Sequence, residues 1–130
     1  MSGYRTPLGR ARGLGSAKQG VGHWIAERVT SVLLVPLVLW GVWAGLTLAR
    51  SDYSGALAWL HWPVNAVLMS LLTAISFWHM HSGMRVVVED YIHKPGSKAA
   101  LLILNLAVCG LLGALAVFCI LKVALGGGVS

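Results

Sequence analysis

Three long stretches without a charged residue constrain the fold of this 130-residue chain more than any other feature. They cover residues 29–49, 53–84 and 99–121, and charged residues lie at both ends of each one. A helix needs about 20 apolar residues to cross the hydrocarbon core of a bilayer. We therefore expect an all-α membrane protein with three transmembrane helices.

The composition points the same way. Of the residues, 57% are hydrophobic and only 11% are charged, whereas soluble domains carry about 25% charged residues. A compact soluble fold of this size has too little interior to hide so much apolar surface. The net charge of +6 comes largely from residues that flank the apolar stretches. That placement is typical of anchoring at a lipid surface, and it argues against nucleic-acid binding.

The middle stretch is too long for one crossing, so it must be divided. Residues 53–62 contain two Trp and a His, which suits an interfacial loop or a short surface helix. Pro63 suits the start of the second long helix, and the turn signal KPGSK at 94–98 predicts a third helix beginning after it. Asn105 is interpreted as a hydrogen-bonding contact to another helix. The predicted segments are an N-terminal segment at 1–27, a three-helix anchor domain at 28–126 and a short tail at 127–130.

Charge in the short loops predicts the orientation. Five basic residues precede the first stretch against Glu27 alone, and three follow the second helix, whereas the first loop has only Arg50 against Asp52. The positive-inside rule then places the N-terminus in the cytoplasm and the C-terminus in the periplasm. The first apolar stretch is too long for a signal peptide and no presequence is evident. We expect a bacterial inner membrane, and we favour it over a mitochondrial inner membrane.

One segment, residues 78–94, carries chemistry beyond a generic anchor. Asp90 follows His79 by 11 residues, or about 16 Å of helix. With Asp90 near the cytoplasmic boundary, His79 lies near the centre of the bilayer, where an ionisable group is a functional hypothesis. A neutral imidazole there suits an axial ligand of haem iron, and Gly83 on the same face leaves room for a porphyrin. A hydrogen bond from His79 to a neighbouring helix fits the residues equally well.

The other histidines limit how a haem would be held. His81 lies about 200° around the helix from His79, so the two cannot ligate one iron. His23, His61 and His93 fall near the ends of the predicted spans. A bound haem would therefore take its second axial ligand from a partner chain, which predicts a hetero-oligomer. Two alternatives are a haem-free small pore or transporter subunit that uses His79 and His81 as a proton relay, and a purely structural anchor.

Three further side chains lie at the predicted cytoplasmic boundary. The Tyr91 phenol can donate a hydrogen bond to a quinone carbonyl, and the Asp90 carboxylate can hold an arginine or relay a proton. Arg28 can pair with a haem propionate or with Asp90. Each also has an ordinary membrane-surface role, as an aromatic-belt residue, a partner of a basic loop or a snorkelling arginine. The residues alone leave these alternatives open.

The pattern H-x-x-x-G-M-x-x-V-x-x-D-Y at residues 79–91 resembles the small hydrophobic membrane-anchor subunits of succinate dehydrogenase, also called cytochrome b small subunits. The stretch GVGHWIAERVTSVLL at residues 20–34 is similar to the start of that family's first helix. The resemblance implies a complex with a flavoprotein, an iron–sulfur subunit and a second cytochrome b membrane subunit. Electrons from succinate would then pass through FAD and iron–sulfur clusters in the partner subunits to ubiquinone.

The resemblance also implies roles for individual residues. His79 would be an axial ligand of haem b, Arg28 would lie near the haem propionates, and Asp90 and Tyr91 would form part of the ubiquinone site, with Tyr91 hydrogen-bonding the quinone. The chain would serve as the membrane subunit of the enzyme and perform no succinate chemistry itself. A fumarate reductase anchor is the close variant. The second deep histidine, His81, departs from the family pattern.

Overall fold

The computed structural model describes Tyr4, residues 6–13 and residues 20–126, which form five α-helices. They are α1 (Pro7–Arg12), α2 (Gly20–Ala49), α3 (Tyr53–His61), α4 (Pro63–Tyr91) and α5 (Pro95–Leu125). Three of them, α2, α4 and α5, are long and apolar enough to cross a membrane. The expected all-α architecture with three spanning helices is confirmed. The predicted tail at 127–130 and part of the predicted N-terminal segment lie outside the described residues.

Helix α2 is longer than its charge-free stretch. It begins at Gly20, so Glu27 and Arg28 lie within the helix, and it accommodates Pro36 in its interior. Its 30 residues correspond to about 45 Å, which matches the bilayer with its headgroup regions rather than the hydrocarbon core alone. The charge-free stretch therefore marks the part of the helix suited to hydrocarbon.

A short helix separates the first two spans, as the sequence predicts. The Asp52 carboxylate caps α3, accepting hydrogen bonds from the Gly55 amide at 2.8 Å and the Ser54 hydroxyl at 3.0 Å. These two hydrogen bonds hold the pKa of Asp52 below its ordinary value, and the bond from Gly55 has the larger effect. Helix α4 then begins at Pro63, as expected for a proline at the first helical position.

The start of α5 differs from the prediction. The helix begins at Pro95, inside the segment that the sequence suggested as a turn, and Lys94 serves as its extended N-cap. A proline costs nothing at the first helical position because its missing N–H would have no helical partner there. The pair of Pro95 and Gly96 therefore marks a helix start, and the expectation that the helix begins after Lys98 was wrong.

Helix α4 contacts both other long helices, and its most extensive contact is with α5. Among the residues that the structure describes, the buried ones are all small or medium-sized: Ala44, Ala66, Ser82, Val88, Cys109 and Gly113. Small residues let helix backbones approach closely where lipid provides no hydrophobic force between helices. Large apolar side chains instead cover much of the outer surface, as expected for faces that meet lipid or other subunits.

Gly113 on α5 packs tightly against Phe77 on α4, and this contact yields a stability prediction. A Cβ on Gly113 would lie 3.1 Å from the Phe77 Cβ, whereas one on Gly110 would meet nothing within 4 Å. Overpacking of this kind costs about 1–3 kcal/mol, so we expect Gly113→Val to destabilise the chain by that amount. Gly110→Val on the same helix is the matched control. Thermal unfolding in detergent checks this, and equal losses for the two variants would contradict it.

His61 joins the end of α3 to the end of α5. Its Nε2 lies 2.9 Å from the Gly126 carbonyl oxygen and its Nδ1 lies 2.6 Å from the Leu57 carbonyl oxygen. Only the protonated imidazole can donate to both carbonyls. These two contacts raise the pKa of His61 above its ordinary value of 6.5, and the contact with Gly126 has the larger effect.

This contact predicts a pH-dependent stability. Because the pKa of His61 is raised in the folded chain, its stabilisation is fully present below the ordinary value and is lost as pH rises through the raised pKa. Wild type should therefore exceed His61→Gln in thermal stability at low pH, and the difference should shrink at higher pH. The control is His93→Gln, because His93 is an exposed histidine beyond the end of α4. A wild-type advantage that does not change with pH would refute the assignment.

Candidate functional site

The site is built around His79, which lies far from the ends of helix α4. His79 lies 12 residues before the end of α4, or about 18 Å along the helix, and its side chain is half-buried. Its Nδ1 lies 3.2 Å from the Oγ1 of Thr30, which stands ten residues into α2. The packing of α2 on α4 thus joins two polar groups that are 49 residues apart in sequence.

The contacts of the Thr30 hydroxyl favour one tautomer of His79, the one with its proton on Nδ1. The Thr30 Oγ1 lies 2.8 Å from the Ala26 carbonyl oxygen and 3.0 Å from the Glu27 carbonyl oxygen. The single hydrogen of the hydroxyl is donated to, and shared between, these two backbone oxygens. Toward His79 the hydroxyl oxygen is therefore an acceptor, and the Nδ1–H of His79 donates to it. A neutral imidazole has one N–H, so Nε2 keeps its lone pair and can coordinate a metal.

His81 has the opposite arrangement. The Asn105 amide nitrogen lies 3.0 Å from the His81 Nδ1 and 2.9 Å from its carbonyl oxygen, while the Asn105 Oδ1 accepts from the Cys109 thiol at 3.4 Å. The amide donates to Nδ1, so neutral His81 carries its proton on Nε2 and offers no lone pair there. This contact between α4 and α5 also confirms the predicted role of Asn105.

The two histidines face different surfaces of α4. His79 contacts α2, whereas His81 lines an apolar groove of about 550 Å³ between α4 and α5, next to Trp78 and Gly110. The ring centroids of Trp78 and His81 are 6.1 Å apart. The placement of His79 and His81 on different sides of α4 agrees with the rotation of about 200° expected from a spacing of two residues.

The surface beside His79 is open. Gly83, one turn further along the same face of α4, is exposed, and a Cβ built on it would meet nothing within 4 Å. A flat ring system can approach the helix backbone there without meeting a side chain. In the described part of the chain, no group of three or more His, Cys, Asp or Glu side chains gathers to hold a metal. What this site offers a metal is the single imidazole nitrogen of His79.

The polar residues at the helix ends are accessible. Asp90 and Tyr91 close α4, and the Tyr91 side chain is 76% exposed. Arg28 is also exposed, and its guanidinium carbon lies 5.4 Å from the Trp24 ring centroid, within range of a cation–π contact. The structure thus places Arg28 against Trp24 rather than against Asp90.

One ion pair forms within the described residues, between Arg85 and Glu89 at 2.8 Å. The sequence predicts this i,i+4 pair, and both side chains are largely exposed. Pairs of this kind support a helix weakly. Its role is structural, and it leaves Arg28 and Asp90 outside any ion pair in this part of the chain.

Thr30 is the member of the site that sequence reasoning missed. It lies in an apolar stretch that contains no histidine, and no local pattern connects it with residue 79. Only the pairing of two long helices at the correct depth reveals the contact. A hydroxyl inside a predicted span, at a depth similar to that of an imidazole in another span, is the signal that was available.

Comparisons with known proteins place the chain in a family. A family model described as succinate dehydrogenase/fumarate reductase transmembrane subunit matches residues 2–123. The succinate dehydrogenase hydrophobic membrane anchor subunit of Rickettsia conorii is 34% identical, over 82% of this chain and 85% of the relative. That of Rickettsia bellii is 35% identical, over 68% and 71% respectively. No solved structure matches the chain. These matches confirm the resemblance to succinate dehydrogenase membrane anchors that the sequence of the second long helix suggests. The chain belongs to the family of succinate dehydrogenase and fumarate reductase transmembrane subunits.

Proposed function

We propose that this chain is the small membrane anchor of a succinate:ubiquinone oxidoreductase in a bacterial inner membrane. Its N-terminus is cytoplasmic, its C-terminus is periplasmic, and it docks the flavoprotein and iron–sulfur subunits to the bilayer. Membership of the family supports this assembly, and the names of the relatives favour succinate dehydrogenase over a fumarate reductase. The chemistry of succinate belongs to the partner subunits, which hold FAD and iron–sulfur clusters.

The proposed haem site depends on the unprotonated Nε2 of His79. The Thr30 contact directs the ring proton to Nδ1, and the open surface at Gly83 gives a porphyrin room beside the helix. In this proposal His79 would hold the haem b iron through Nε2, and a second cytochrome b membrane subunit would supply the other ligand. When bound, haem b would supply a one-electron redox centre.

Arg28 is the proposed partner of a haem propionate. Its guanidinium is exposed at the side of α2 and lies against Trp24. A guanidinium binds a carboxylate through two parallel hydrogen bonds, which fix orientation as well as charge. In this role Arg28 would bind a propionate of the haem, while His79 would bind its iron.

Asp90 and Tyr91 form the proposed part of the ubiquinone site. Tyr91 is 76% exposed, and its phenol would donate a hydrogen bond to a quinone carbonyl, which would orient the ring. The Asp90 carboxylate stands next to it at the exposed end of α4. Quinone reduction consumes two protons, and a carboxylate at the edge of the membrane can pass protons from water to the reduced oxygens.

Affinity purification of the tagged chain from native membranes tests the proposal. We expect co-purification of a flavoprotein, an iron–sulfur protein and a second membrane subunit, with a b-type haem and succinate-dependent quinone reduction. The competing pore hypothesis requires proton flux in liposomes without haem. A chain that purifies alone and conducts protons would overturn the proposal. The separate faces occupied by His79 and His81 argue against a proton relay between them.

A further inference from the structure

We infer that Thr30 is a positioning residue for His79: its hydroxyl fixes the imidazole with Nδ1 protonated and Nε2 available to iron. This inference deepens the proposed function and depends on His79 being the haem ligand. It assigns Thr30 to the layer of residues that orients a metal ligand without touching the metal. Metal-bound histidines commonly donate their other N–H to such a partner.

The Thr30 hydroxyl is suited to this role because its own hydrogen is already committed. Its 2.8 Å bond to the Ala26 carbonyl and the 3.0 Å contact with Glu27 are local to α2. They hold the hydroxyl oxygen with its lone pairs toward α4, at 3.2 Å from the His79 Nδ1. A hydroxyl without such a bond would be able to rotate and pair with either tautomer, accepting from a protonated Nδ1 or donating to an unprotonated one.

The contrast with His81 makes the assignment specific. Asn105 donates to Nδ1 of His81, which places the proton of that ring on Nε2. Two histidines on one helix, both deep in the span, thus carry their protons on opposite nitrogens because their partners on α2 and α5 differ. The two partners, Thr30 for His79 and Asn105 for His81, therefore decide which imidazole offers an unprotonated Nε2 to iron.

Thr73 supplies a matched control on the same helix as His79. Its hydroxyl donates to the Met69 carbonyl at 2.8 Å and is part-buried, as that of Thr30 is. Within the described residues, the Thr73 hydroxyl makes this hydrogen bond to its own helix. Thr73→Val therefore reproduces the loss of a helix-bonded hydroxyl in a membrane span without disturbing His79.

The test compares Thr30→Val, Thr30→Ser, Thr73→Val and His79→Ala in the purified complex. Loss of such an outer partner typically lowers metal affinity about 10- to 100-fold, so Thr30→Val should lower haem affinity by about that factor. It should also raise the haem midpoint potential, because an imidazole whose N–H has no acceptor donates less electron density to ferric iron. Thr30→Ser should restore both properties, and Thr73→Val should resemble wild type.

Nitrogen NMR of the full-length chain, labelled with ¹⁵N-histidine in detergent, gives a readout that needs no haem. Wild-type His79 should show an unprotonated Nε2, and Thr30→Val should shift the ring toward the other tautomer. If His79→Ala loses haem while Thr30→Val behaves like Thr73→Val in every readout, the role of Thr30 is overturned and the haem ligand stands. If His79→Ala keeps its haem, the proposed function of His79 fails, and this inference fails with it.

Discussion

A complex that carries His79→Ala should lose its b-type haem absorbance, and one that carries His81→Ala should keep it. His79 presents an unprotonated Nε2 because Thr30 accepts from its Nδ1–H, whereas His81 presents an N–H because Asn105 donates to its Nδ1. Removal of a direct ligand should cost more than the roughly 10- to 100-fold typical of a partner that only orients the ligand. A reduced-minus-oxidised optical spectrum of the purified complexes measures the effect.

His81→Ala is a demanding control for this experiment. It removes a second half-buried imidazole two residues away, together with the hydrogen bond between that imidazole and Asn105 on α5. Native gel electrophoresis should show that both variants still assemble with their partner subunits. Loss of haem bands from His81→Ala alone would transfer the ligand assignment to His81, and unchanged bands in both variants would exclude both histidines as ligands.

Tyr91→Phe should lower quinone reduction by about 10- to 100-fold, because a lost hydrogen bond to a substrate oxygen costs about 1–3 kcal/mol. The phenol hydroxyl is the only group removed, and the side chain is exposed at the end of α4, so assembly should survive. Succinate-dependent reduction of a soluble dye, which bypasses the membrane site, should be unchanged. The haem spectrum should also be unchanged.

Tyr53→Phe is the matched control for Tyr91. Tyr53 is 72% exposed, at the start of α3 and therefore at the other end of the bundle. The Tyr53→Phe variant should leave both activities at wild-type values. Equal quinone reduction in Tyr91→Phe and wild type would show that the phenol does not bind quinone, and an equal loss in both variants would indicate a general effect on the complex.

Much of the fold could be predicted from the distribution of charge. Stretches that exclude charge must lie in hydrocarbon or in a core, and their lengths match single crossings. The boundaries were harder to predict. Helix α2 continues to Gly20 through Glu27 and Arg28 because interfacial residues still form a helix, and Pro95 starts a helix where the local sequence suggested a turn.

The site was predictable only in part. The depth of His79 follows from helix geometry, and the contact of Asn105 with another helix follows from its isolation in an apolar span. The partners themselves do not follow, because the pairing of Thr30 with His79 depends on how α2 and α4 rotate and slide against each other. The proton positions that distinguish His79 from His81 are determined by those partners. The family pattern at residues 79–91 gave the same preference without its physical reason.

An experimental map of the purified complex, at a resolution that separates side chains, tests the central claim most directly. We predict a haem iron bonded to the Nε2 of His79 and to a histidine of the second membrane subunit, with the His79 Nδ1 facing the Thr30 hydroxyl. A haem iron bonded to His81, or a fully assembled complex with no haem beside α4, would contradict it.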